Sequence, residues 1–344
     1  MKKQSKLLAL LLACAMTLAL SACGGNSATT STPAGSAAPA ASGSAAATGD
    51  KTYTIGICQL VQHNALDAAT KGFKDALTEK LGDKVKFDEQ NAAGDSATCA
   101  TICNQFVSSK VDLIMANATP ALQAATAATN SIPILGTSVT DYGTALSIAD
   151  WKGTTGTNVT GTADLAPLDK QAEMIKTLFP DAKKVGILYC SAEPNSKYQS
   201  TEITKYLTDA GYTCKEYTFA DSNDVAAVTK TACDESDVLY IPTDNTAASC
   251  AESINNIAEP AKVPIVAGES GICTGCGVAT LSIDYYDLGV VTGNMAYEVL
   301  VNGADPATTE IQFAPKTTYQ YMADRCEKLG VKVPSDYVAI EAEK

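Results

Sequence analysis

The sequence has little positive charge and few of the side chains that enzymes commonly use for catalysis. Its 344 residues include one arginine, Arg325, and one histidine, His63, and the formal net charge is −13. Binding to nucleic-acid phosphates depends on clustered Lys and Arg. We therefore expect no nucleic-acid partner.

Motifs of common catalytic and nucleotide-binding sites are also missing. The chain has no Gly-x-Ser-x-Gly turn, no phosphate-binding P-loop, no Gly-x-Gly-x-x-Gly turn and no His-Glu-x-x-His helix. A Ser-His-Asp site would have to centre on His63, because the sequence holds no other histidine. We therefore expect no enzymatic activity, no cofactor and no metal ion.

The N-terminus carries the only long apolar run, and that run is too short to cross a bilayer. A lysine-rich start precedes apolar residues 7–20, and the tetrad LSAC at 20–23 follows. This order is typical of a secretory signal, and the tetrad resembles the cleavage site of a bacterial lipoprotein. We predict a signal peptide at 1–22 and a lipid on Cys23. The alternative is an ordinary secretory signal in which Cys23 is incidental.

A segment of low complexity follows. Residues 24–50 are almost entirely Gly, Ser, Ala, Thr and Pro, and Asp50 is their only charge. Such a segment cannot bury enough apolar surface to offset its ordering entropy. We predict a flexible linker over 23–50 that holds the folded part outside the cell membrane, on a surface of the Gram-positive type.

The cysteines are numerous and dispersed. Ten lie beyond residue 50, most of them where a small apolar residue would serve. We predict buried free thiols. A disulfide remains an alternative for two close pairs, Cys99 with Cys103 and Cys273 with Cys276, whereas a zinc site would need four ligands.

From residue 53 onward, short β-branched runs alternate with amphipathic stretches. The predicted strands are 53–59, 84–90, 111–117, 133–139, 183–190, 212–219, 238–242, 264–268 and 278–283. The predicted helices are 64–81, 96–109, 120–129, 165–179, 196–210, 222–233, 247–259 and 285–302. This alternation predicts an α/β fold with parallel, doubly wound sheets.

A stretch without a sustained period, 140–163, separates two similar sets of strands and helices. At this length two lobes are favoured over a single nine-stranded sheet. In open α/β sheets, ligands bind beyond the carboxyl ends of the strands. The residues that follow each strand are therefore the candidate site.

The residue types at these strand ends differ between the two halves of the chain. Hydroxyls such as Thr119 and Ser138, together with free helix N-terminal amides, suit a ligand carboxylate. Three acids, Asp244, Glu269 and Asp284, suit a ligand amine. Tyrosines are available to wall an apolar side chain, namely Tyr142, Tyr189, Tyr285 and Tyr286. An amino acid carries both charged groups, although helix capping alone would also explain several of these residues.

Six segments carry a resemblance to a known family: 57–67 (ICQLVQHNALD), 118–121 (ATPA), 139–141 (VTD), 158–162 (NVTGT), 243–245 (TDN) and 283–289 (IDYYDLG). In this order they resemble the substrate-binding proteins of ABC transporters, in the group that includes tryptophan and tyrosine binders. The resemblance covers essentially all of 51–344. It implies a type I periplasmic-binding-protein fold, with two lobes joined by crossovers near 158–162, 281–285 and 312–320.

The same resemblance implies lobe boundaries and a set of ligand-binding residues. The N-terminal lobe would comprise 51–158 with 285–315, and the C-terminal lobe 159–284 with 316–344. The implied ligand-binding residues are Gln59, His63, Ala118, Thr119, Thr137, Ser138, Asp141, Asn158, Thr160, Asn195, Ser196, Asp244, Asn245, Glu269 and Asp284.

The function implied is capture of a small, amino-acid-like ligand, most readily an aromatic one. A monomeric protein would deliver it to an ABC permease that works with a cytoplasmic ATPase. Two alternatives stay open at this point. One is a surface lipoprotein that senses its ligand without transport, and the other is a binder of branched-chain amino acids, nucleosides or another small carboxylate.

Overall fold

The structure, a computed structural model, describes residues 51–341. The predicted signal peptide, Cys23 and the linker lie outside these residues. Strands and helices alternate through the first half as β1 Tyr53–Gln59, α1 Asn64–Leu81, β2 Val85–Asn91, α2 Ser96–Ser109, β3 Leu113–Asn117, α3 Thr119–Ala128, β4 Ile134–Val139, α4 Tyr142–Ala145 and β5 Val159–Ala163. β3, β4 and β5 are buried throughout, as expected for strands covered on both faces.

The second half repeats this alternation. Its elements are α5 Leu168–Leu178, β6 Lys184–Cys190, α6 Pro194–Asp209, β7 Thr213–Phe219, α7 Val225–Glu235, β8 Val238–Ile241, α8 Asn245–Ser249, α9 Ala251–Ala261, β9 Ile265–Ala267, α10 Ser270–Cys276 and β10 Ala279–Ile283. The elements that follow are α11 Tyr285–Val301, β11 Gln312–Phe313, β12 Thr317–Tyr321, α12 Ala323–Leu329 and β13 Val338–Ala339.

These strands form two sheets. The first has the order β11-β5-β4-β3-β1-β2, and all its neighbours are parallel. The second has the order β13-β12-β10-β9-β8-β6-β7, in which only β10 and β12 run antiparallel. We call the first sheet with the helices packed on it the N-lobe, and the second sheet with its helices the C-lobe. The predicted α/β fold with two doubly wound lobes is confirmed.

The chain passes between the lobes three times, at 164–167, at Asp284 and at 314–316. The predicted boundary between residues 158 and 159 is wrong. Val159 pairs with Ile134 of β4, so β5 belongs to the N-lobe and the first crossing begins only at Asp164. Residues 140–163, which show no period in the sequence, contain both α4 and β5.

Helix α11 returns to the N-lobe and packs against α1. Met295 and Val299 of α11 join a buried cluster with Phe73 of α1 and strands β1, β3 and β4. The helices approach so closely that a methyl group on Gly289 would overlap the carbonyl oxygen of Ala69. Glycine on α11 is what permits this distance.

The predicted strands match the observed ones within two residues at each end. The predicted helix 247–259 is in fact two helices, α8 and α9, that meet at Cys250. Short elements had no clear signal in the sequence, among them α4, β5, α10 and β11. Among residues 51–341, no helix has the length and apolarity needed to cross a membrane.

Candidate functional site

The carboxyl ends of the two sheets border a narrow cleft, which in this structure has room for about one water molecule. Its N-lobe side and crossings supply His63, Leu66, Ser138, Thr140, Asp164 and Tyr285, and its C-lobe side supplies Asn195, Thr243, Asp244, Asn245, Ala248 and Glu269. Most of these residues lie at the end of a strand or in the turn that follows it. The cleft therefore occupies the position at which open α/β folds bind ligands.

Asp244 is a fully buried acid on the C-lobe side. Its carboxylate accepts hydrogen bonds from the amides of Cys190 and Ala247 and from the hydroxyl of Ser196, each at 2.7 Å. Burial raises the pKa of Asp244 to about 8, and the nearby charge of Glu193 adds to the effect. Three donors do not fully replace the lost hydration of the charge.

Two further acids lie in the same cleft. Asp164 accepts the Thr140 hydroxyl at 3.1 Å and the Tyr285 hydroxyl at 2.9 Å, while Glu269 accepts the amides of Gly271 and Ile272 at the start of α10. Burial raises the pKa of Asp164 to about 6 and that of Glu269 to about 7.

The cleft therefore combines three buried carboxyl groups with no lysine or arginine among its lining residues. Each raised pKa means that the charged form lacks compensation in its present surroundings. A ligand cation would supply that compensation. The arrangement favours a ligand with a positively charged group.

A fourth buried acid, Glu193, lies behind the cleft wall at the start of α6 and organises the asparagines. Its carboxylate accepts the side-chain amide of Asn195 at 3.1 Å and that of Asn245 at 2.6 Å. It also accepts the backbone amide and the hydroxyl of Thr246, both at 2.8 Å. The turn after β6 is thereby tied to the start of α8.

Direct contacts join the two lobes across the cleft. His63 Nε2 lies 3.2 Å from Asn245 Oδ1, and the hydroxyl oxygens of Thr140 and Thr243 lie 3.4 Å apart. Gln199 of the C-lobe also donates to Thr140, at 3.3 Å. The His63 ring is largely enclosed, and burial lowers its pKa.

Six of the predicted site residues line the cleft: His63, Ser138, Asn195, Asp244, Asn245 and Glu269. Ser196 lies directly behind them, because its hydroxyl donates to Asp244. The remaining predicted residues have other structural roles.

Three of these hold the N-lobe sheet and its helices together. The Gln59 side chain bonds Asp67 and Thr70 of α1. Thr137 accepts from the hydroxyls of Thr162 and Thr292, and Thr160 donates to a carbonyl 149 residues away, that of Thr309. Their side chains therefore face the lobe interior.

Two of the predicted acids act as helix caps. Asp141 accepts the amide of Thr144 at the start of α4, and the exposed Asp284 accepts the amide of Asp287 at the start of α11. Neither lines the cleft. Capping alone explains both residues, and Asp164 supplies the third cleft carboxylate instead of Asp284.

The last three lie away from the cleft lining. Ala118 and Thr119 are buried where β3 meets α3. Asn158 is at the opposite end of its strand, where its amide donates to the carbonyls of Thr129 and Ile132. Asn158 precedes β5, so it lies at the opposite edge of the sheet from the strand ends that border the cleft.

Of the four tyrosines predicted to wall the ligand, only Tyr285 lines the cleft. Tyr142 is buried in the N-lobe core and stacks on Trp151, with the two ring centroids 6.2 Å apart. Tyr189 packs in the C-lobe core. Tyr286 faces solvent and donates to Asp75.

Sequence reasoning missed Thr140, Asp164 and Thr243 as lining residues. It also missed Glu193 as the residue that holds Asn195 and Asn245. Asp164 was overlooked because β5 itself had no clear signal. The one sequence signal that could have indicated this strand end is Thr162-Ala163-Asp164, which follows a glycine-containing stretch.

A wider cavity of about 220 Å³ adjoins the cleft and shares Asn245 as a wall. Leu60, Val61 and Pro120 line it from the N-lobe, and Ala192 and Ala220 from the C-lobe. This space is therefore partly apolar.

The cysteines of the described part of the chain are all free thiols, and eight of the ten are buried. Burial raises the pKa of Cys190, Cys233 and Cys326 to about 11 in each case. Within residues 51–341, no group of His, Cys, Asp and Glu side chains is arranged to hold a metal ion.

Comparison with known proteins agrees with this architecture. Residues 54–344 match the family model of the ABC transporter substrate binding protein. A tyrosine-binding protein of Clostridioides difficile is 41% identical over 265 residues, which cover 75% of this chain and 76% of that protein.

Two solved structures extend the comparison. The ABC domain from Streptococcus pneumonia in complex with L-Trp is 33% identical, with a TM-score of 0.81 over 84% of this chain and 100% of that one. The ligand-free, open structure of a Clostridium difficile substrate-binding protein with adhesive properties is 36% identical, with a TM-score of 0.65 over 85% of this chain and 100% of that one. The overall structural similarity is thus higher to the L-Trp complex than to the open protein. The match over 54–344 and the two-lobed fold establish that this chain belongs to the substrate-binding proteins of ABC transporters.

Proposed function

We propose that this protein binds an amino acid with an aromatic side chain in the cleft and delivers it to an ABC permease. The observation that carries the proposal is the set of Asp164, Asp244 and Glu269, three buried carboxyl groups without a cationic partner in the cleft lining. A ligand ammonium would complete this set. The relatives that bind tyrosine and L-Trp support the choice of ligand class.

The ligand carboxylate is proposed to meet Ser138. The Ser138 hydroxyl is buried and has no hydrogen-bond partner among residues 51–341. Its backbone φ is +53°, an uncommon value for a serine. Such strain is often maintained where a residue serves a ligand.

The aromatic side chain is proposed to lie against Leu66 and Tyr285 and to extend toward the adjoining cavity, where Leu60 and Val61 offer apolar surface. Offset packing of rings contributes about 0.5–1.5 kcal/mol beyond simple burial. This contribution would favour aromatic over small aliphatic amino acids.

The protein is proposed to work as a carrier, without chemistry. Ligand contacts to both lobes would stabilise the closed arrangement, which would then dock as a monomer on a permease served by a cytoplasmic ATPase. A signal peptide at 1–22 and a lipid on Cys23 would hold it at the outer face of the cell membrane. A lipid with two chains gives durable anchoring, whereas one chain gives only marginal binding.

The test is calorimetric titration of the purified protein with L-tryptophan, L-tyrosine, L-phenylalanine, L-leucine, adenosine and glucose, with thermal unfolding as a second measurement. At one hundred times its dissociation constant, a ligand adds about 2.7 kcal/mol to the free energy of unfolding. We expect the aromatic amino acids to bind most tightly. If only adenosine or glucose raises the melting temperature, the proposal is wrong.

A further inference from the structure

Glu193 determines which atoms of two asparagines face the cleft. This side chain is 4% exposed. Its Oε2 accepts from the side-chain amides of Asn195 and Asn245 and from the backbone amide of Asn245, and its Oε1 accepts twice from Thr246. A carboxylate only accepts hydrogen bonds, so each asparagine must turn its NH₂ group toward Glu193.

The first consequence concerns Asn195. Its Nδ2 also points to the carbonyl oxygen of Thr243 at 3.0 Å and to the hydroxyl of Ser196 at 3.2 Å. Its Oδ1 is consequently the end left free, and this oxygen is buried without a partner among the described residues. Asn195 lines the cleft, so it contributes an unsatisfied acceptor from the C-lobe.

The second consequence reaches His63. Because the Asn245 amide nitrogen is held by Glu193, Oδ1 of Asn245 is the atom that faces His63 Nε2 at 3.2 Å. That oxygen needs a donor, so Nε2 carries the hydrogen. In a neutral imidazole the other nitrogen is then an acceptor. This Nδ1 is buried and unpartnered within residues 51–341.

We propose that Glu193 is a positioning residue that sets a pair of acceptors, Asn195 Oδ1 on the C-lobe and His63 Nδ1 on the N-lobe, to receive the ammonium group of the ligand. The inference rests on the proposed function, because it concerns the amino group of the same ligand. An ammonium has three N–H donors, so it can bond both acceptors and direct the third hydrogen at one of the cleft carboxylates, while its charge compensates the others. It thereby links the lobes at the point where His63 and Asn245 already meet.

The first experiment uses the fact that His63 is the only histidine in the chain. In ¹⁵N-labelled protein, long-range ¹H–¹⁵N spectra show one imidazole ring, whose two nitrogens report directly which of them carries the hydrogen. With saturating L-tryptophan we expect Nε2 to carry the hydrogen. We expect Nδ1 to carry none and to accept a hydrogen bond. Hydrogen on Nδ1, or on both nitrogens at neutral pH, would overturn the proposal.

The second experiment tests the positioning role with Glu193→Gln, which keeps the size of the side chain and adds a donor. The Asn195 and Asn245 amides then lose their fixed orientation, so we expect His63 to give a mixture of tautomers and L-tryptophan to bind at least tenfold more weakly. Glu216→Gln is the matched control, because Glu216 pairs with Lys197 at the surface of the same lobe. A Glu193→Gln protein that keeps the wild-type His63 spectrum and affinity would refute the role.

The third experiment compares L-tryptophan with indole-3-propionate, which lacks only the amino group. We expect at least a hundredfold weaker binding of the analogue to the wild-type protein and a much smaller difference in Glu193→Gln. If the two compounds bound the wild type equally well, the amino group would not be hydrogen-bonded by an acceptor pair, and the proposal would be wrong.

Failure of the proposed function can be distinguished from failure of the Glu193 positioning role. If no amino acid binds to the wild type, that function is wrong, and the ligand-free protein still decides the role of Glu193. The side-chain NH₂ signals of Asn195 and Asn245 should be slow to exchange in the wild type and fast in Glu193→Gln. Equal exchange in both proteins would overturn the positioning role.

Discussion

Tyr285 donates its hydroxyl hydrogen to Asp164 at 2.9 Å, and this bond links two of the three passages of the chain between the lobes. Asp164 begins the first passage, directly after β5, and Tyr285 begins α11 directly after the second. Both side chains line the cleft. Ligand contact and the connection between lobes therefore share the same two residues.

We predict that Tyr285→Phe weakens amino-acid binding by about tenfold. The substitution removes one of the two side-chain donors to a buried carboxylate, and a hydrogen bond to a charged group contributes about 1.5–3 kcal/mol. The measurement is calorimetric titration with L-tryptophan. Tyr286→Phe is the control, because that neighbouring hydroxyl bonds only the exposed Asp75 among the described residues. If the two variants lost the same amount of affinity, the weaker binding could not be attributed to the bond between Tyr285 and Asp164.

Binding of an ammonium ligand should strengthen as the pH rises from about 5 to about 8. In the ligand-free protein the pKa values of Asp164, Glu269 and Asp244 lie at about 6, 7 and 8, and the ligand binds the charged forms. Each proton released on binding contributes up to a tenfold gain in affinity per pH unit. Titrations at several pH values, in buffers of different ionisation enthalpy, count these protons.

The stability of the ligand-free protein should respond in the opposite direction. These folded-state pKa values lie above the ordinary values of 3.8 and 4.5, so the folded protein holds its protons more tightly than the unfolded chain does. The corresponding stability is present below about pH 4 and is lost as the pH rises through the folded-state values. Asp164→Asn with Glu269→Gln should flatten both profiles. A wild-type affinity that is constant between pH 5 and pH 8 would contradict this assignment.

Asp244→Ala should impair both binding and folding. The Asp244 carboxylate lines the cleft and also accepts the amides of Cys190 and Ala247. Loss of a helix cap costs about 1 kcal/mol, and each buried amide left unpaired costs about 1–3 kcal/mol more. Urea unfolding measures the change. Asp284→Ala, at an exposed helix cap outside the cleft, should cost only about 1 kcal/mol and leave the affinity unchanged.

Gly289→Ala should destabilise the N-lobe by about 1–3 kcal/mol, because the added methyl group overlaps the Ala69 carbonyl where α1 and α11 meet. Thermal unfolding without ligand is the direct measurement. Asn294→Ala tests the exposed face of the same helix and should change the free energy of unfolding by less than 0.5 kcal/mol. If both variants unfold at the wild-type temperature, the close helix contact is not required.

The long elements of the fold were predictable from sequence because their signals are local. Strand β1 is a β-branched run between polar residues, and α1 has a regular apolar face, so both were located to the residue. Strand β5 was not predicted, since its sequence VTGTA has little apolar character. It is a strand because it lies between β4 and β11.

The candidate site was predictable only in part, because the side chain after a strand can face either the cleft or the lobe. Asp244 and Asp284 both follow a strand and both cap a helix, yet one is buried in the cleft and the other exposed. The distinction depends on the neighbouring lobe, which local sequence does not encode. Glu193 was passed over for a related reason, since its five donors come from three residues, two of them about 50 positions further along the chain.

The return of α11 to the N-lobe sets the order in which the chain can fold. The Tyr53 hydroxyl bonds the carbonyl of Leu300, 247 residues later, and β11 joins the first sheet later still. During synthesis, strands β6 to β10 of the C-lobe are therefore made before α11 and β11 can complete the N-lobe. Contacts of such wide sequence separation slow folding, and incomplete lobes expose unpaired strand edges to aggregation. Truncation within α11 should therefore destabilise the N-lobe, even though α1 and strands β1 to β5 remain in the chain.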